Sequence, residues 1–347
     1  MAKPEESAED WRSQVGERAD PGSLSIDLAR AREPGRGREA RSPAQIPARG
    51  WRDILIRVFW SIAADRVLAT AGSVAFFALL AVFPAISTVI SLYGLFADTS
   101  TVVSHLGLLS GLLPGGVISL IGDQVLLITS KGTPTLGLAF LISLGISFWS
   151  ANSGIVALFD ALNVVYDEKE ERSLVQLYGT TFLFTLGAVG FIIAAVGAVV
   201  VTPIVFAFIG FPTWGERLLA LARWPVLLAV VVVGLAFLYR YGPSRRDPRW
   251  RWVTPGSVLA ALLWVGASAL FSLYVASFDS YNKTYGSLGA GVGFMTWLWL
   301  SVVIVLLGAE LNAEMEHQTA VDTTVGPPKP LGRRRAVMAD HVGEAQG

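Results

Sequence analysis

The chain has 347 residues, 53% of them hydrophobic and only 16% charged, with a mean hydropathy of +0.54. Soluble domains carry about 25% charged residues, so this composition is that of an integral membrane protein. The 27 basic and 27 acidic residues cancel, which leaves no basic excess to suggest nucleic acid, and the lack of cysteine excludes disulfides, thiol catalysis and Cys-type zinc sites.

The charges are unevenly placed. Residues 1–57 hold 21 of the 54, whereas the 97 residues of 69–165 hold four: Asp98, Asp123, Lys131 and Asp160. Residues 1–50 are rich in Arg, Glu, Pro and Gly. Pro4, Pro21, Pro34, Pro43 and Pro47 interrupt any helix there, which predicts a disordered tail. Its acidic start does not read as a signal peptide. A short helix is expected over 51–65, with Trp51, Leu55, Val58, Phe59 and Ile62 on one side and Arg52, Asp53, Arg57 and Arg66 opposite. It either lies on a membrane surface or simply leads into the first span.

Stretches able to cross a bilayer, which takes about 20 residues, follow at 69–96, 135–163, 174–209, 224–241, 253–278 and 288–311. Pro84 and Pro203 mark expected kinks in the first and third. Residues 102–129 are also apolar, but Pro114, Gly115 and Gly116 divide them. Loop charge arbitrates, because cytoplasmic loops collect Lys and Arg. With six spans and an inner amino terminus, 15 basic residues near the spans face inward and 4 outward; a seventh span at 102–129 makes the ratio 8 to 11. Six spans are therefore expected, with 102–129 re-entrant or surface-lying on the outer side. Residues 318–347 read as a second disordered cytoplasmic tail, outside a membrane domain of 51–317.

No HExxH, GxSxG or P-loop is present, and His105, His317 and His341 form no pair at ligand spacing. Neither an enzyme nor a cofactor site is indicated. The informative residues are polar ones in the spans. Asn152, Asp160 and Asn163 fall within roughly 80° of one another on a helix, and Glu310, Glu314 and His317 share a second face. Polar groups at membrane depth are expensive, so the five residues Asn152, Asp160, Asn163, Glu310 and Glu314 either line a substrate path or serve as caps and ion pairs. Glu310 could pair with an arginine of the 240–251 loop. Arg245, Arg246, Arg249 and Arg251 in that loop either contact anionic lipid headgroups or only fix topology. The short outer segment 278–287, with Tyr281, Tyr285 and Gly286, reads as a turn or as a gate over a cavity.

Five pieces of the chain resemble the YihY/BrkB family of bacterial inner-membrane proteins. They are AFFALLAVFPAIS (75–87), FDALNVVYDEKEERS (159–173), TPGSVLAALLW (254–264), YNKTYGSLGA (281–290) and LLGAELNAEMEH (306–317). The resemblance covers about 55–317 and implies an all-α, six-span membrane protein. Some members carry a ribonuclease BN label, which these residues do not support, having neither a His/Asp metal cluster nor a basic groove. Others are called virulence or serum-resistance factors, and transport of lipid-like envelope molecules has been suggested. The resulting expectation is an inner-membrane protein, both termini cytoplasmic, transporter-like or lipid-handling, partnered by membrane lipids and a small or lipid substrate rather than nucleic acid. The alternative is a membrane scaffold acting through its tails.

Overall fold

The computed structural model describes residues 21–96, 133–196, 213–277 and 279–346, and these are helical apart from loops and one isolated bridge between Pro248 and Thr324. In chain order the helices are α1 (Pro21–Arg30), α2 (Ala48–Ala64), α3 (Val67–Phe96), α4 (Thr133–Val165), α5 (Leu174–Val196), α6 (Thr213–Tyr241), α7 (Trp250–Ser277), α8 (Asp279–Gln318) and α9 (Val337–Asp340), with a 3-10 turn at Pro43–Gln45. Backbone polar groups cannot be left unpaired in lipid, and a helix satisfies them internally; this is why the long Leu/Val/Ala runs are helices. Five of these helices, α4 to α8, are long and apolar enough to cross a membrane, and α2 with α3 forms a bent pair that makes six. Residues 102–129 and Pro203 lie outside the described residues.

The first span bends at Asp65 and Arg66, between α2 and α3, and Pro84 sits inside α3. The α2 and α3 axes meet at 61°, and Arg66 takes the left-handed conformation there, at φ 50°. On α2 the apolar side is the open one, with Leu55, Phe59 and Trp60 at 57%, 67% and 64% exposure. Its polar residues Asp53 and Arg57 face inward and are buried. That inversion fits a helix whose apolar side meets lipid while its polar side rests on protein.

α8 organises the bundle and packs against α2, α3, α4, α7 and α9; α4 runs along α3, α5 along α4, and α6 along α7. Its 40 residues span about 60 Å at 1.5 Å each, twice the hydrocarbon thickness. The excess corrects the expected outer loop: Tyr281, Tyr285 and Gly286 belong to the first turns of α8. Their side chains lie outside the described residues.

The core lies at one end of the bundle. Val67 and Ala71 of α3, Phe159 and Leu162 of α4, Tyr239 of α6, Val253 of α7 and Leu306, Ala309 and Ala313 of α8 form it with Tyr166. Along the rest of the spans large apolar side chains point outward, among them Leu138, Leu141 and Ile193, as lipid-facing positions should.

The described parts of the two tails are ordered, where disorder was expected; residues 1–20 lie outside the described residues. Residues 24–50 and 318–346 pack over the polar end of the bundle as a folded cap. Arg36 grips Asp53 through two hydrogen bonds of 2.7 and 2.8 Å. Arg38, 2% exposed, donates to the carbonyls of Gln318 (3.1 Å) and Gly343 (2.7 Å) and to Glu33 (2.7 Å). Asp27 accepts from the Val342 amide at 2.9 Å and stands 2.7 Å from His341 Nδ1. A small second core of Ala40, Ile46, Ile54, Trp252, Leu311 and Met315 lies beneath. The tail composition lacks apolar periodicity, so it cannot fold alone. Its arginines find carbonyls and carboxylates only when both ends meet on α2 and α8.

Candidate functional site: a basic cavity at the polar end of the bundle

Three connections build this site. The first follows α4, whose last turn ends with Asp167 in the left-handed conformation, φ 52°. The Asp167 amide donates to the Val164 carbonyl (3.0 Å) and the Glu168 amide to the Asn163 carbonyl (2.8 Å), the two bonds of a Schellman cap. The chain then turns to Arg172. Its guanidinium bonds Glu170 at 2.7 Å and the Gly242 and Tyr241 carbonyls at 2.7 and 3.2 Å, and lies 5.1 Å over the Phe159 ring. Burial alone would raise the Glu170 carboxyl, but hydrogen bonds from Arg172 and Asn163 outweigh it and hold the group down at about 2. Glu170 is therefore a fixed anion.

The second connection, 242–249, brings Arg245 under the cap. The side chains of Arg245 and Glu316 are both 0% exposed and 2.8 Å apart, with Thr323 Oγ1 also donating to Glu316 at 2.8 Å. The guanidinium sits 4.0 Å from the Tyr166 ring centroid. Burial pushes the Tyr166 hydroxyl above its ordinary range, with Arg245 pulling the other way, so the phenol stays neutral beneath the cation. The third connection is the carboxy-terminal segment, held to the second by the Arg246 amide on the Arg335 carbonyl and the Arg249 amide on the Thr323 carbonyl, at 3.0 and 2.9 Å.

Between them lies a cavity of about 540 Å³ lined by Arg172, Arg245, Arg246, Lys329 and Arg335 against two acids, Glu171 and Asp247, with Gln176 and Thr180 of α5 and Tyr241 of α6 on its membrane side. Arg172 and Arg245 are already neutralised by Glu170 and Glu316. Arg246, Lys329 and Arg335 make no ion pair among the described residues, and Arg246 Nη1 is buried with no acceptor. Three uncommitted cations converging on one polar hollow can hold a phosphate or carboxylate group. Sequence reading did not anticipate a basic groove. The cations come from three separate connections, so the runs at 245–246 and 333–335 do not by themselves show that they share one hollow.

The other sequence-predicted residues are scattered. Asn152 is buried against Thr185, whose hydroxyl is 3.3 Å away. Asn163 donates to Glu170 (3.1 Å) and accepts from the Ser244 amide (2.7 Å), stitching two loops. Asp160 is exposed. Glu314 pairs with Arg57 of α2, and His317 stands 3.6 Å from it. Glu310 is fully buried and meets Asp65, not an arginine. None of these five lines the basic cavity or the open apolar hollow on α2. Of the four arginines, Arg245 is buried and committed to Glu316, and Arg249 Nε is committed to the Thr324 carbonyl at 3.0 Å. Arg246 lines the cavity and Arg251 is exposed. Sequence reasoning missed Lys329, Arg335 and Asp65. Among the described residues no group of three His, Cys, Asp or Glu side chains stands at metal-holding distance.

Residues 58–331 match the family model described as virulence factor BrkB. A Bacillus subtilis protein named as ribonuclease-like, YfkH, is 34% identical over 179 residues, covering 50% of this chain and 65% of that protein. A UPF0761 membrane protein of Aromatoleum aromaticum is 28% identical over 272 residues, 75% of this chain and 64% of the relative. Another, of Pseudoalteromonas translucida, is 25% identical over 268 residues, 75% of this chain and 84% of the relative. The chain thus spans just under two thirds of the length of the first two. No solved structure matches it.

Proposed function

The chain belongs to the virulence factor BrkB family, and from that premise we propose that it is a transporter-like or lipid-handling protein without an enzymatic step. It sits in the bacterial inner membrane with both termini cytoplasmic, and it holds the phosphate-bearing headgroup of an anionic lipid in the basic cavity. The observation that carries this reading is the convergence of Arg246, Lys329 and Arg335 on a hollow whose membrane side is formed by the ends of α5 and α6. That position lets a headgroup sit among cations while acyl chains stay beside the spans. The orientation follows from the excess of Lys and Arg at this end of the bundle.

The test is lipid retention by the full chain purified in mild detergent, read by mass spectrometry. Wild type should retain anionic over zwitterionic phospholipid, and Arg246→Gln/Lys329→Gln/Arg335→Gln should lose that preference by roughly tenfold or more, about 1.4 kcal/mol. Equal retention by the triple variant, folded by its unfolding midpoint, refutes the reading.

A further inference from the structure

Glu310 has no role in the headgroup reading. It sits 0% exposed on α8, and neither of its carboxyl oxygens receives a hydrogen bond. What faces it is a second acid: the Asp65 carboxyl, at the bend between α2 and α3, meets it side chain to side chain within hydrogen-bonding reach. Among the described residues no cation is paired with Glu310 or Asp65. Glu314, one turn along α8, is another acid acting on Glu310, and it commits Arg57 of α2 to itself, with Arg57 Nη2 further drawn to Gln318 at 2.7 Å. From the connection after α4 come Tyr166, a neutral phenol, and Asp167, whose charge also acts on Asp65. The Arg245 guanidinium lies 4.0 Å from the Tyr166 ring centroid and is paired with Glu316. α7 presents Gly256 to α8, and its polar partner there is Asn312.

Two carboxylates in contact, one of them sealed from water, cannot both keep their charge. A single proton resolves the conflict, giving one oxygen a donor and the other an acceptor. We propose that Asp65 and Glu310 form a proton-binding pair that ties the bend of the first span to α8, and that loss of this proton releases the bend. The geometry gives the proton a route. Asp65 is partly exposed whereas Glu310 is not, so exchange with water passes through Asp65. It also gives the proton a consequence. Asp65 lies at the hinge between helices set at 61°, three residues before Leu68, whose carbonyl accepts from the indole of Trp299 of α8 at 2.8 Å. Like charges at that point push α3 and α8 apart where they pack.

The experiment uses the full chain in lipid nanodiscs. Infrared pH-difference spectra should contain a protonated-carboxyl band at about pH 7 that disappears on raising the pH and is missing from Glu310→Gln. A wild-type spectrum without the band, or a band that survives Glu310→Gln, overturns the proposal; so does a band abolished by sodium ions at constant pH, which would make the pair a cation site. The second measurement exploits the absence of cysteine. Val67, 1% exposed beside the bend, is replaced in Val67→Cys with and without Glu310→Gln, and maleimide labelling is compared at each pH so that thiol ionisation cancels. The ratio of the two rates should be near one at about pH 6 and rise roughly threefold or more by about pH 9 as the bend opens. A ratio that stays flat overturns the release of the bend.

Discussion

Gly256→Ala tests whether α7 and α8 are held together by backbone contact. Gly256 faces α8 where an added Cβ would press into the Gly308 carbonyl oxygen and stand 2.5 Å from Asn312 Oδ1. The same amide oxygen accepts from the Gly256 N–H at 2.8 Å, and Asn312 Nδ2 donates to the Val253 carbonyl at 3.0 Å. Neither obstacle can rotate aside, since one is backbone and the other is a side chain fixed at both ends. Overpacking such a site costs about 1–3 kcal/mol. Losing the Gly256 hydrogen bond adds about 1 kcal/mol, and the helix propensity of Ala over Gly returns about 1 kcal/mol, leaving a net loss of about 1–3 kcal/mol. Denaturant unfolding in micelles measures it. Gly187→Ala is the control, because nothing lies within 4 Å of its added Cβ and only the propensity gain operates. If Gly256→Ala proved as stable as Gly187→Ala, the close-contact argument would fail.

Three further outcomes are expected. Arg57→Ala strands Glu314, 4% exposed, without its cation; destabilisation of about 3–5 kcal/mol should appear in thermal unfolding, with earlier proteolysis of residues 318–346. Asp167→Gly removes the cost of a left-handed non-glycine residue at the α4 cap and should stabilise by about 1 kcal/mol in the same denaturant assay. Glu170 has a depressed folded-state value, about 2, so its contribution is present above the unfolded carboxylate value near ~4 and is lost as pH falls toward 2. The midpoint difference between wild type and Glu170→Gln should therefore be constant from about pH 7 to 5 and shrink below about pH 4; a difference that grows on acidification would show the sign to be wrong.

The spans were legible because hydropathy acts along the chain: each predicted crossing corresponds to a helix, and Leu, Val and Ala decide this without knowing their neighbours. The bend at 65–66 was not, because it depends on Arg66 adopting positive φ, which no residue pattern announces. The resemblance had a physical basis that sequence could not reveal. TPGSVLAALLW carries Gly256, and LLGAELNAEMEH carries Gly308 and Asn312, so two of its pieces are the two sides of one helix crossing. The residues of the polar face read from Asn152, Asp160 and Asn163 have separate surroundings, because helical phase fixes direction only within a helix. Asn152 meets Thr185, Asn163 meets two loops, and Asp160 is exposed. The terminal order was equally hidden, since Arg38 and Asp53 look like solvated charge until the opposite end of the chain is brought beside them.

The three acids at the end of α8 show how partners, not residue type, set the role of a buried charge. Glu316 turns toward the 242–249 connection and finds Arg245; Glu314 turns toward α2 and finds Arg57. Glu310 lies one turn above Glu314 and also faces the α2–α3 junction, where the next residue after Asp65 is a cation, Arg66. A regular helical path through the junction would give no reason for the acid to be chosen over the base. The left-handed turn at Arg66 carries that side chain outward, where it is exposed, and leaves Asp65 against Glu310. Backbone strain of about 1 kcal/mol is thus spent on placing an acid beside an acid while an arginine one residue away is kept out. A bend that needed only to be stable would be served better by the reverse arrangement. That choice is what one expects of a contact meant to be broken by the loss of a proton.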